Sequence, residues 1–251
     1  MRAATPGRAF AAVVLLGGLL GGLMASGEVG AEPARLLAVT NTQGYRHESI
    51  PNLVALVERE GRESGLWVVE RADTDEELRS LTTAASLARF DAVAFLNSSG
   101  DVPLADREAF LAWVNGGGAL VGAHGGANTL QGWPEFVAML GGEFDYHRDQ
   151  ARVWARVDDA GHPATAGRGT GFELFDEIYL IKSFDRGRVH MLLSLERHPN
   201  TGEPGFFPFA WTREQGQGRV FYTAAGHRAD VVEADWYGAH LLGGIRWALR
   251  R

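Results

Sequence analysis

The stretch that decides the fold is Ala119–Thr129, ALVGAHGGANT, a small apolar run that breaks into glycines around a single histidine. An apolar run of this length reads as a buried strand, and Gly122, Gly125 and Gly126 mark a sharp strand-to-helix corner. Such an elbow lifts its central side chain, His124, above the end of the strand. The flanking glycines permit the bend and leave backbone N–H groups that can meet an oxygen. The alternative is that the glycines only make the turn and His124 caps a backbone group.

Outward from that corner the same rhythm repeats. RLLAVT (35–40) is a short apolar run, and SIPNLVALVEREGRESG (49–65) places Leu53, Val54, Leu56 and Val57 at helical spacing. LWVVERA (66–72) supplies a second strand, and DTDEELRSL (73–81) opens a helix with Asp73 or Thr74 as its N-cap. DAVAFLN (91–97) is a third buried strand, followed by a helix in PLADREAFLAWVNGGG (103–118) and then by ALVGAH. Strands this apolar, alternating with amphipathic helices, imply a parallel sheet covered on both faces.

After WPEFVAMLGG (133–142) the pattern turns β-rich: ARVWARV (151–157), FELFDEIYLIKSF (172–184), VHMLLSL (189–195) and FPFAWTREQGQGRVFYTAAGH (207–227), with REQGQGR as a hairpin connection. The turn-rich ERHPNTGEPGFFP (196–208) reads as a long loop within the domain. The chain closes on a helix in 230–250, with Trp236, Leu241, Ile245 and Leu249 as buried candidates. The second half therefore extends the sheet and adds a small antiparallel portion.

Residues 1–31 carry Arg2 and Arg8, an apolar core and a small-residue exit at Val29–Ala31, the pattern of a cleaved secretory signal. An uncleaved anchor is the alternative; with cleavage no stable membrane association and an exported location are expected. That segment holds a net +1, so the formal charge of −7 becomes −8 for the roughly 220 residues that follow. That length suits one α/β domain. An acidic chain with scattered basic residues is not a nucleic-acid binder. The absence of cysteine excludes disulfides and a thiol nucleophile.

In an open parallel sheet, ligands bind beyond the carboxyl ends of the strands. His47 follows the first strand, Asn97, Ser98 and Ser99 the third, His124 the fourth, and His227 ends VFYTAAGH, so three of the eight histidines fall on one edge. The paired acids Asp176 and Glu177 read as a solvated strand turn, or as a source of a base or metal ligand. His162 precedes a proline and shapes a turn; His190, His198 and His240 read as structural or surface residues. Trp211, Phe206, Phe207 and Tyr222 are either core or a stacking face for a sugar.

GYRHESI (44–50), GAHGG (122–126), GGEFDYH (141–147), DEIY (176–179) and the 207–227 segment stand in an order and spacing similar to those of the ThuA-like family, named for trehalose utilisation. The resemblance covers nearly all of residues 35–251. It implies a three-layer, flavodoxin-like α/β sandwich, a variant of the class I glutamine amidotransferase fold, with a mostly parallel sheet and a small antiparallel extension. In amidotransferases the elbow holds a cysteine; His124 stands there in this chain, so glutamine hydrolysis is not implied. The resemblance implies a role with sugars, namely disaccharides or glycosides oxidised at carbon 3, in concert with a sugar oxidoreductase. It marks Tyr45, Arg46, His47, His124, Asp145, His147, Glu177, Tyr179 and His227.

Two chemistries suit these residue types. His47, His124, His147 and His227 with a carboxylate could hold zinc or a similar divalent ion, although no short H-x-x-x-H pair is present. Without metal, a neutral His47 or His124 could take the acidic proton beside a keto group while Arg46 or Tyr45 stabilises the enolate, giving elimination or hydrolysis. Asn97, Ser98, Gly125, Gly126, Glu177 and Tyr179 are then the substrate-contacting candidates. No nucleotide cofactor is expected. An ion pair of Arg46 with Glu48 or Glu177, and a core position for Tyr45, are the plain alternatives. A non-catalytic carbohydrate-binding module is the rival for the whole chain.

Overall fold

The computed structural model describes residues 32–251 together with Met1 and Ala3; the segment 1–31, read as a secretory signal, lies outside the described residues but for those two. Four consecutive strands, β1 (Ala34–Val39), β2 (Trp67–Ala72), β3 (Ala92–Leu96) and β4 (Ala119–Ala123), are parallel, and β3 and β4 are buried along their whole length. Between them run α1 (Ile50–Ser64), α2 (Asp75–Leu81), α3 (Ala84–Leu87) and α4 (Arg107–Asn115). Thr74 starts α2 with a capping box closed by Glu77, which satisfies two otherwise orphaned N–H groups.

The chain continues through α5 (Pro134–Leu140), β5 (Glu143–Tyr146), β6 (Ala151–Val157), β7 (Gly171–Asp176), β8 (Leu180–Lys182), β9 (His190–Arg197), β10 (Pro204–Gln215), β11 (Gly218–Thr223), α6 (Ala229–Val232) and α7 (Asp235–Leu249). The nine-stranded sheet has the order β2-β1-β3-β4-β11-β10-β9-β6-β7, with β11 the fifth parallel strand and the last four antiparallel. Because the step from β1 to β2 and the step from β3 to β4 run in opposite directions along the sheet, right-handed crossovers put α1 and α4 on opposite faces. α1 packs with α6 and α7, and α4 with α3, which gives the three-layer sandwich.

FELFDEIYLIKSF forms two strands about the turn at its paired acids: the chain leaves the main sheet after Asp176, and β8 pairs with β5 in a separate two-stranded ribbon. Two local features differ from the sequence reading. The loop before β10 is shorter than read, because Pro204 already pairs with Arg197. The helix after the elbow is a single 3-10 turn, His124–Asn128. Trp211 and Tyr222 are fully buried core, while Phe206 is 38% exposed. Leu241 and Ile245 are buried as read, with Trp236 and Leu249 packed at the margin.

The antiparallel wing matters for function because of one weak seam. β6 meets β9 only through Arg156 and Val157 among the described residues, so the rest of the β6–β7 hairpin is not paired to β9. Its far end, where Ala151 pairs with Asp176, comes back over the ends of the parallel strands, and Asp176 accepts a hydrogen bond from Gly226 just beyond β11.

Candidate functional site

Five chain segments meet where the parallel strands end. His47 stands in the β1–α1 loop, His124 follows β4, Glu177 follows β7, and His227 follows β11; one ligand-type atom from each lies within 4.8 Å of all the others. The fifth, Asn97 after β3, underlies them. His47 and His124 are buried and His227 is partly so.

The corner at His124 is strained in the way the glycines imply. His124 has φ +38° and Asn97 has φ +55°, left-handed values that cost a non-glycine residue on the order of 1–2 kcal/mol. They are held by a clip: the Gly125 N–H donates to Asn97 Oδ1 at 2.9 Å. A Cβ at Gly125 would lie 2.9 Å from the Ser98 carbonyl oxygen, so only glycine lets the two strand ends approach this closely.

His124 Nδ1 lies 2.7 Å from the Ala224 carbonyl oxygen, which accepts only and therefore fixes a proton on Nδ1; in the neutral ring Nε2 then carries the lone pair. Nε2 is buried without a hydrogen-bond partner, as are His47 Nδ1 and His227 Nδ1. Glu177 Oε1 lies 3.4 Å from His124 Nε2 and 3.3 Å from His227 Nδ1. Neither approach has hydrogen-bond geometry, yet both distances match the edge of a tetrahedron with bonds of about 2.0–2.1 Å to its centre, about 3.3 Å. Lone pairs and a carboxylate aimed at a common point fit a divalent cation such as zinc.

Electrostatics agree with that donor set. Burial, and then the neighbouring His124 and His227, push His47 down to a pKa of about 3, so its ring is neutral. Burial would raise Glu177, but the contacts with His124 and His227 outweigh it and hold the carboxyl well below its usual range. Burial would lower His227, and Glu177 outweighs it in the raising direction. Tyr179 is pushed up by burial and then by Glu177, so its hydroxyl keeps its proton 3.5 Å from His47 Nε2. The Tyr179 ring packs 3.8 Å from that of His124.

The other sequence candidates divide into supports and rim. Asn97 and Ser98, read as substrate contacts, are fully buried: Asn97 donates to Ser49 Oγ and to the Gly226 carbonyl, and Ser98 donates to the Asn41 carbonyl. Gly125 and Gly126 are buried too, and the Gly125 N–H is taken by Asn97 instead of standing free. These residues build the floor. His147, read among the metal ligands, sits half-exposed outside the four-atom group with Nδ1 3.2 Å from Glu177 Oε2. The acids are not solvated: Asp176 is buried and Glu177 nearly so, and the signal for them was the position of DE after an alternating strand.

At the rim, Tyr45 is 59% exposed, edge-on to His47 and nearly parallel to the His227 ring at 6.4 Å, so it is not a core residue. Arg46 is exposed and donates to the Thr40 carbonyl, with no ion pair to Glu48 or Glu177 among the described residues. A cavity of about 380 Å³ lined by Tyr45, Glu48, Gln150, His227 and Arg228 opens beside the cluster. Asp145 is exposed and paired with Lys182 at 3.7 Å, outside the four-residue group. His162 and His198 accept from local backbone N–H groups, His240 Nδ1 lies against the Ala164 carbonyl of a distant loop, and His190 pairs with Asp159.

Comparison with known proteins agrees with this fold. A solved ThuA-like protein from Bacteroides uniformis superposes with a TM-score of 0.71 at 24% identity, over 89% of this chain and 94% of that one. A second, from Parabacteroides merdae, gives 0.70 at 19% identity over 86% and 90%. A cytoplasmic protein of Salmonella typhimurium LT2 gives 0.60 at 13% identity over 86% and 99%. At these identities the likeness concerns the fold. No curated protein matches the sequence. The family model described as ThuA, trehalose utilisation, matches residues 35–248, and the chain belongs to that family.

Proposed function

We propose that the protein is an exported, divalent-metal-dependent carbohydrate enzyme that cleaves 3-keto-glycosides, by elimination or hydrolysis, after a sugar oxidoreductase has introduced the keto group. Its family associates it with carbohydrate use, and the observation that carries the catalytic reading is the convergence of His47, His124, Glu177 and His227 on one point with unpaired donor atoms. Those four residues would hold the ion, which supplies Lewis acidity toward the C3 carbonyl. Export is inferred from the pattern of residues 1–31.

The residues of the chain account for the rest of the chemistry. A C3 keto group makes the C2 proton acidic; a base removes it, the C1–O bond to the leaving group breaks, and the departing oxygen takes up a proton. His147 is placed for proton transfer, because its ring stands half-exposed at the rim, held by its Nδ1 against the Arg148 carbonyl oxygen at 3.0 Å, with Glu177 Oε2 3.2 Å away. Tyr45 offers an exposed aromatic face beside the cavity, and the protonated Tyr179 hydroxyl donates into the cluster.

The test is elemental analysis of the full-length protein purified without chelator or histidine tag, with a panel of 3-keto-glycosides assayed before and after metal removal. About one divalent ion per chain and turnover that disappears on chelation are the expected results. Metal without turnover across the panel would leave a carbohydrate-binding module, and no metal would overturn the reading.

A further inference from the structure

We propose that Asp176 is a positioning residue for the four ligands, the fixed point of a buried hydrogen-bond chain that holds them in ligand geometry; this rests on the metal-centre reading above. Its carboxylate is fully buried, and among the described residues no cationic side chain forms an ion pair with it. Instead it accepts three backbone N–H groups: Gly226 on Oδ2 at 2.8 Å, and Arg228 and Glu177 on Oδ1 at 3.1 and 3.0 Å. Gly226 and Arg228 flank His227, so two of these bonds fix the backbone on both sides of one ligand. The third fixes the backbone of another.

The chain extends through Gly226. Its carbonyl accepts from Ser49 Oγ and from Asn97 Nδ2, both at 2.9 Å. Ser49 is two residues from His47, and Asn97 Oδ1 accepts the N–H of Gly125, next to His124. One connected network of buried polar groups therefore reaches the backbone at or beside Glu177, His227 and His124, and through Ser49 comes within two residues of His47, from segments that share no strand pairing with β7. A buried carboxylate is costly unless its bonds are satisfied, and outer partners that aim metal ligands are worth about 10–100-fold in affinity. Gly226 makes the junction possible: its φ is +114°, and a Cβ there would lie 2.4 Å from the Tyr237 hydroxyl oxygen.

The experiment compares full-length wild type, Asp176→Asn and Ser49→Ala for Zn²⁺ and Co²⁺ affinity by chelator competition, with the visible Co²⁺ spectrum and thermal unfolding of the metal-free proteins. Asp176→Asn is expected to lose about 10–100-fold in affinity and to alter the Co²⁺ spectrum, since the ligands lose their aim. Ser49→Ala, which removes one bond to Gly226, is expected to lose less in the same direction. A folded Asp176→Asn with wild-type affinity and spectrum would overturn the proposal; if that variant does not fold, wild-type behaviour of Ser49→Ala overturns it. Wild type that binds neither metal would overturn the metal centre and this inference with it.

Discussion

His124 and His240 are both buried, and each places Nδ1 against a backbone carbonyl oxygen, Ala224 at 2.7 Å and Ala164 at 2.8 Å. Each leaves Nε2 buried without a partner. What differs is the surroundings. His240 sits on α7 among aromatic rings, 5.4 Å from Phe221 and 6.3 Å from Trp236, whereas His124 meets His47, His227 and Glu177. An unpaired imidazole nitrogen is thus a packing feature in one place and, in the proposed metal centre, a ligand in the other, and convergence of donors separates them.

The largest break in that comparison comes from removing a donor. His124→Ala or Glu177→Gln should weaken divalent-metal binding by more than the about 100-fold expected of an outer partner, while His240→Asn leaves it at the wild-type value. Metal at a hundred times its dissociation constant should stabilise wild type and His240→Asn by about 2.7 kcal/mol and the two ligand variants by none, read as a shift in thermal midpoint. Equal metal binding by His124→Ala and wild type would remove the distinction between the two histidines.

Next comes the corner itself. Residue 239, beside His240, is an alanine within a helix, but Gly125, beside His124, has no room for a methyl group: a Cβ would stand 2.9 Å from the Ser98 oxygen and 3.1 Å from Asn97 Cα. Gly125→Ala should therefore destabilise the metal-free protein by about 1–3 kcal/mol in denaturant unfolding and lower metal affinity as well. A neutral result would mean that the two strand ends can separate without cost.

How much of this the sequence discloses follows from how local each element is. β1 to β4 and their helices are legible because each strand is followed at once by its own helix, and His47, His124 and His227 are legible because each directly follows an apolar strand. The convergence of Glu177 on His47, His124 and His227 depends on a long-range event. The β6–β7 hairpin must be held to β9 by only Arg156 and Val157 for Asp176 to swing over the strand ends, and no periodicity in ARVWARV or FELFD encodes that. Asn97 was found by position, but its three-way bonding to Ser49, Gly226 and Gly125 joins segments distant in sequence and so fell outside any motif.

A smaller effect uses pH. Burial lowers His240 and His162 to pKa values of about 4 and, with the neighbouring His124 and His227, lowers His47 to about 3, against about 6.5 in the unfolded chain. The unfolded state then binds more protons between these values, so their stabilisation is fully present above pH 6.5 and is lost as pH falls toward 4. Each group contributes at most about 1.4 kcal/mol per pH unit. His227, raised by Glu177, acts in the opposite sense, its contribution fading as pH rises through its folded value. His240→Asn should flatten the acid limb of stability against pH in the metal-free protein; an unchanged slope would show that His240 is protonated in the fold.

The smallest effect separates two roles for one ring. Tyr45 and Tyr179 both approach the cluster, but Tyr179 is buried with its hydroxyl turned to His47, and Tyr45 is mostly exposed with its face nearly parallel to His227. A hydroxyl that stabilises an enolate must point inward; a platform that carries a sugar ring needs only its face. Tyr45→Ala should leave stability within about 0.5 kcal/mol and raise KM for a keto-glycoside about fivefold, the equivalent of about 1 kcal/mol of stacking. Tyr45→Phe decides between the roles: wild-type kinetics would make Tyr45 a stacking surface, and a fall in kcat at constant KM would return its hydroxyl to the chemistry.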